Sequence, residues 1–181
     1  MINLLKSLFG SADTLRPVER IPLPQKKTEK EAFIKRYLDT LIKHGWVLEP
    51  STSVYSSEEA RYQMEEYLAI LDPDLLNFLC SFKKLENESE DAWFIELDMQ
   101  TYSLSSWNNC MTIMESCIIE DSTISVILQG ENKGKFLYCN EGIYEDAEII
   151  ADDFFSFLQL HAYCVELGKD TYKNNQLWAF I

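Results

Sequence analysis

The residues able to do chemistry are few and far apart. The chain has two histidines, His44 and His161, and five cysteines, Cys80, Cys110, Cys117, Cys139 and Cys164, with no CxxC spacing among them. A zinc centre needs three or four such ligands at close, recurrent spacing, so no metal site is expected. Adjacent carboxylates occur at Glu58–Glu59, Glu65–Glu66 and Asp152–Asp153. Acid–base hydrolysis needs two carboxylates from separate elements meeting across a cleft. With 30 acidic residues in 181, neighbouring pairs arise by chance. No GxxxxGK[ST], GxGxxG or GxSxG segment is present, so phosphate-cradling loops and nucleophile elbows lack support. No catalytic residue, cofactor or metal is assigned, and a small acidic hydrolase is the lesser alternative.

The elements that would have to position any site read as follows. Residues 1–27 read as a short N-terminal helix and a Pro-rich arm carrying Pro17, Pro22 and Pro24, which remove amide donors and favour extended backbone. "MINLLKSLFG" is far shorter than the roughly 20 apolar residues of a membrane span and lacks a cleavage signal, so a cytoplasmic protein is expected. Residues 28–181 read as one acidic domain. A helix is predicted after Thr28 as N-cap, with Ala32, Phe33, Tyr37, Leu38, Leu41 and Ile42 as its apolar stripe and Gly45 closing it. "PSTSVYSS", 50–57, reads as a polar loop, and a helix is predicted over 58–70. In "LDPDLLNFLCSF" Asp72 is an N-cap and Pro73 sits at the first helical position, predicting a helix over 73–83.

"KKLENESED", 83–91, then reads as a charged loop. "AWFIELD", "TISVILQG", "KFLYCN" and "IYEDAEII" read as strands, the middle two joined through "ENKG" as a hairpin. "LSSWNNCMTIMES", 104–116, reads as an irregular helix. A last helix opens at Asp152 or Asp153, with Phe154, Phe157, Leu158, His161, Ala162 and Val165 at helical spacing, which predicts a packed core histidine at His161. The cysteines read as buried, reduced thiols, and the tryptophans Trp46, Trp93, Trp107 and Trp178 as core more than ligand platform. Helices, then strands, then a helix predict an α+β fold with a mainly antiparallel sheet flanked by helices.

Charge is unevenly spread. Residues 1–36 hold eight Lys/Arg against four Asp/Glu, and residues 37–181 hold eight against 26, a net of −18. A surface of that sign repels phosphate backbones, which argues against nucleic acid. Its sharper meaning is a basic protein partner drawn in by the field.

Two stretches carry a resemblance to a known family. "LDPDLLNFLCSF" is similar to a Leu-Pro-x-x-(Tyr/Leu)-x-x-Phe-Leu helix, with Pro73, Leu76, Phe78 and Leu79 in corresponding places. "GKFLYCNEGIYEDAEIIADDFFSFL", 134–158, is similar to a closing strand–turn–strand–helix, through Ile150, Ala151, Asp152, Phe154, Phe157 and Leu158. Both patterns are those of the SMI1/KNR4 family of the SUKH superfamily, which the chain resembles over residues 58–168. That resemblance implies a SUKH-like α+β binding domain without catalysis. Many bacterial members are immunity proteins that neutralise a cognate toxin, often a nuclease, and eukaryotic relatives are regulatory scaffolds. The candidate contacts for a basic toxin domain are Glu86, Glu88, Glu90 and Asp91 in the charged loop, with Glu131, Glu145, Asp146 and Glu148 around the strand turns.

Overall fold

The first described helix begins where a glutamate reaches back. In the computed structural model, which describes residues 23–51, 70–88, 92–94, 110–116, 122–139 and 147–167, α1 runs Lys27–Lys43. The Glu29 carboxylate accepts from the amides of Gln25 at 2.8 Å and Lys26 at 3.0 Å. Lys26, not Thr28, is therefore the N-cap, because Glu29 caps the helix start two residues before the position expected for Glu31. The C-terminus closes as the sequence predicts. Gly45 takes φ 91°, its amide donates to Ile42 O at 3.1 Å, and the Trp46 amide donates to Leu41 O at 3.1 Å. Those two bonds define a Schellman motif, and the buried Leu41 and Trp46 supply its apolar contact.

β1, Val47–Pro50, follows at once. After it, α2 spans Pro73–Leu79, with Asp72 Oδ1 accepting from the amides of Asp74 at 2.8 Å and Leu75 at 3.3 Å. The cap and the proline fall where expected, but the helix ends four residues early. Ser81 donates its hydroxyl to Phe78 O at 2.7 Å, and the chain enters β2, Phe82–Asn87, in place of a charged loop. Phe82 and Leu85 are both buried though three residues apart, which a regular two-residue period forbids. The register explains it. Glu49 opposes Lys84 while Pro50 opposes Phe82, so Lys83 is the extra residue of a bulge.

β3 is Ala92–Phe94, β4 Cys110–Ser116, β5 Ser122–Ile127, β6 Phe136–Cys139 and β7 Glu148–Ala151. β4 corrects the helical reading of 104–116 over its described part. Its register slips between Thr112 and Met114, so Met111, Ile113 and Met114 all reach the core. That spacing imitates helical periodicity in the sequence while belonging to a bulged strand. β5 and β6 pair as the hairpin predicted around residues 131–134, with Val126 opposite Phe136 and Thr123 opposite Cys139.

Among the described residues the sheet has seven strands in the order β1-β2-β3-β4-β5-β6-β7, every pair antiparallel. α3, Phe154–Leu167, starts at the Asp153 cap, whose Oδ1 accepts from the Ser156 amide at 2.8 Å. The three helices share one core with the sheet. Phe33, Tyr37 and Leu41 of α1, Leu75, Leu76, Phe78 and Leu79 of α2 and Phe154, Phe157 and Leu158 of α3 meet Leu85, Phe94, Met111, Ile124, Val126 and Phe136. Among the described residues the fold is a mixed α+β one with an antiparallel sheet and the three helices α1, α2 and α3. Among the described residues no helix is long and apolar enough to cross a membrane.

The predicted helix over 58–70, the arm before residue 23, the strand turns 140–146 and the terminal "QLWAFI" lie outside the described residues, apart from Ile70.

Candidate protein-binding surface

The sheet topology sorts the candidate carboxylates. β2 ends at Asn87, and Ala92, Ser116, Ser122, Cys139, Glu148 and Val47 lie at that same end of the sheet by register. Glu86, within β2, and the exposed Glu88 just after it sit there together. Glu148 is at the same end but on the opposite edge strand. Five strand spacings separate β2 from β7, roughly 24 Å. Glu131 lies in the β5–β6 turn at the other end, a strand length of about 20 Å away. Glu90, Asp91, Glu145 and Asp146 lie outside the described residues. The described members therefore do not form one patch. Glu86 and Glu88 are a local pair, and Glu131 and Glu148 are remote from it and from each other.

The register also places a carboxylate that a linear scan for charge passes over. One cross-strand row runs Val47, Glu86, Trp93, Glu115, Thr123, Cys139 across β1 to β6. Glu86 and Glu115 thus flank Trp93 at two strand spacings, roughly 10 Å. Only the strand assignment of β4 reveals this, because an irregular helix gives Glu115 no fixed neighbour across the sheet.

Part of this acidity is answered locally. Lys83 pairs with Glu49 at 3.2 Å, and Lys84 with Glu86. The Lys84 ammonium is held above its ordinary range, first by the hydrogen bond to Glu86 against some desolvation, then by the charges of Glu86, Glu88 and Glu49. The β1–β2 surface is thus close to neutral, and its excess negative charge sits at the turn carrying Glu88.

The remaining reactive groups are structural. His161 is buried, and its Nδ1 lies 2.7 Å from the Tyr37 hydroxyl. Burial pulls the imidazole down to about 3 and pushes the Tyr37 phenol well up, so both stay neutral across the physiological range. His161 is the packed core histidine predicted from its position on the apolar stripe. His44 is the C-cap residue of α1. Cys80, Cys110, Cys139 and Cys164 are buried and none forms a disulfide. Burial pushes the Cys110 and Cys139 thiols up, which lowers their nucleophilic fraction. Trp46 is core, as expected. Among the described residues no three His, Cys, Asp or Glu side chains group as a metal site.

Comparison with models of known protein families and with curated proteins finds no match to this chain.

Proposed function

We propose that the chain is a non-enzymatic binding module of the SUKH kind, acting in the cytoplasm, whose partner is a basic protein, in the immunity role a toxin domain whose substrate surface it covers. The observation that carries this reading is the net −18 of residues 37–181. A nuclease holds phosphates with clustered Lys and Arg, and an acidic protein seated on that surface excludes the substrate. Supporting it, the two stretches that resemble the family serve as folding units here. Pro73 opens α2 with Leu76, Phe78 and Leu79 buried behind it. Phe154, Phe157 and Leu158 anchor α3 in the core after the β6–β7 pair.

The test is co-expression with the toxin gene adjacent to it, followed by pull-down from the native host. Growth rescue and recovery of a basic partner are expected. The triple reversal Glu88→Lys, Glu90→Lys, Asp91→Lys should slow association on the order of 10-fold at low salt and flatten its salt dependence, with thermal unfolding unchanged. An unaltered association rate removes the β2–β3 turn from the interface. No rescue together with no basic partner ends the immunity reading.

A further inference from the structure

The sheet ends in two unlike edges. β1 lies on one side and β7 on the other, and among the described residues neither has a second neighbouring strand. A free edge is a row of unpaired amides and carbonyls. Folded chains guard such rows with proline, with short or bulged strands and with charge. β1 is guarded by its backbone. Pro50 has no amide to offer a further strand. Its charge is neutralised too, because Glu49 is tied to Lys83 at 3.2 Å.

β7 holds no proline. Phe136 opposes Ala151 while Leu137 opposes Ile149, so Ile150 is the extra residue of a bulge. The bulge does not hide the apolar side chain beside it. Ile149 is 46% exposed, across from the half-buried Leu137. What guards this edge is charge. Glu148, Asp152 and Asp153 are all exposed. Lys135 answers Asp152 at 3.4 Å, and Asp153 Oδ1 caps α3. Glu131 and Lys133 of the neighbouring turn cancel each other. An electrostatic guard is selective in a way that proline is not. A second copy pairing antiparallel about Ile150 sets Glu148 opposite Asp152 of that copy, twice, with Cβ atoms about 5 Å apart, and like charges so placed are destabilising. A strand with lysine or arginine at those positions turns both repulsions into attractions, and an apolar side chain between them meets Ile149.

We propose that the free edge of β7 receives an extended basic segment of the partner protein as a further strand of the sheet. Main-chain hydrogen bonds supply the affinity, and Glu148, Ile149 and Asp152 select the sequence. This rests on the reading of the chain as a binding module for a basic protein, and adds where that protein docks and in what conformation. The β2–β3 turn carrying Glu88 lies on the far side of the sheet, so charge reversal there leaves this edge intact and the two regions can be tested separately.

The probe is the end-capped peptide Lys-Val-Lys-Val-Lys-Val-Lys, titrated at low salt into the isotope-labelled full chain and followed by NMR. Amides of Glu148–Ala151 should shift and gain protection from exchange, while those of β1 stay unmoved. The same peptide N-methylated on alternate residues keeps every charge but loses the donors of one edge, and should bind about 10-fold more weakly. Glu148→Lys with Asp152→Lys, both at exposed positions, should weaken the unmodified peptide by about 10-fold. Should that variant fail to fold, the two peptides on wild type decide. Equal affinities for them reduce the contact to charge alone and overturn the proposal. So does a response at β1, or none at β7 with about 1 mM peptide. The toxin assay fails separately. Strand addition at β7 with no basic partner in the host upholds the edge and ends the immunity reading. Growth rescue by a partner that binds wild type and the double variant equally well upholds the reading and overturns the edge.

Discussion

Phe157→Ala is expected to cost about 3–5 kcal/mol, the range for truncating a core aromatic. The ring is 1% exposed, lies flat between Phe136 and His161, and meets Phe94 edge-on at 6.4 Å. Removing it takes a wall from both the helix–sheet contact and the enclosure around His161, and neither stacked neighbour can move in without leaving its own partner. With a urea m-value of about 2 kcal/mol/M, the midpoint should drop by roughly 1.5–2.5 M at unchanged slope. Phe155, next but one on the same helix and only half-buried under Lys30, should cost less on the same substitution. A loss below about 1 kcal/mol for Phe157→Ala means this face of α3 is not packed as described.

Ile113→Asp should be more severe still. Ile113 has no exposed surface and occupies the bulge of β4 between the paired Thr112 and Met114. A carboxylate there must either stay charged away from water or take up a proton and remain short of partners. Either way several kcal/mol are lost in addition to the apolar contact. That exceeds about 4–5 kcal/mol, against a total of roughly 5–15 for a domain, so the chain should be largely unfolded at pH 7 by circular dichroism. Ile42→Asp is the matched control. Ile42 is 50% exposed on α1, and its change should stay within about 1 kcal/mol. A well-folded I113D protein would move Ile113 to the surface and remove β4 from the centre of the sheet.

These two sites differ in how plainly the sequence announces them. Phe157 sits on a helical stripe opened by an aspartate cap, and local spacing is enough to place it. The same holds for Asp72–Pro73, for Gly45 and for the hairpin around residues 131–134, where each signal is complete within a few residues. Ile113 and Leu85 belong to bulged strands. An inserted residue destroys the two-residue alternation by which a strand is recognised, and the lysines and glutamate of β2 then pass for a solvated loop. β1 is four residues ending in proline, too short to show a period. The candidate surface fared like the strands under it. Charge clusters along the chain grouped eight acidic residues, but proximity on a sheet is set by register. Glu115 joins Glu86 only after β4 is seen as a strand, and Glu131 leaves the group because the β5–β6 turn lies at the other end of the sheet.

The order of strands has a kinetic consequence. Every described sheet contact joins strands that are neighbours in sequence among the described elements, and the β5–β6 hairpin closes across only residues 128–135, with little loop-closure entropy. Docking α1 on α3 is different. In an unformed chain, closing 124 residues costs about 2–3 kcal/mol more entropy than closing the eight of that turn. The helices therefore close on each other after the sheet has shortened the distance between them. Replacing Tyr37 with Phe should accelerate unfolding and leave the folding limb of the chevron unmoved, whereas Val126→Ala should slow folding. A folding rate that falls in step with stability in the Tyr37 variant would place the helix pair in the nucleus instead, with the sheet assembling onto it.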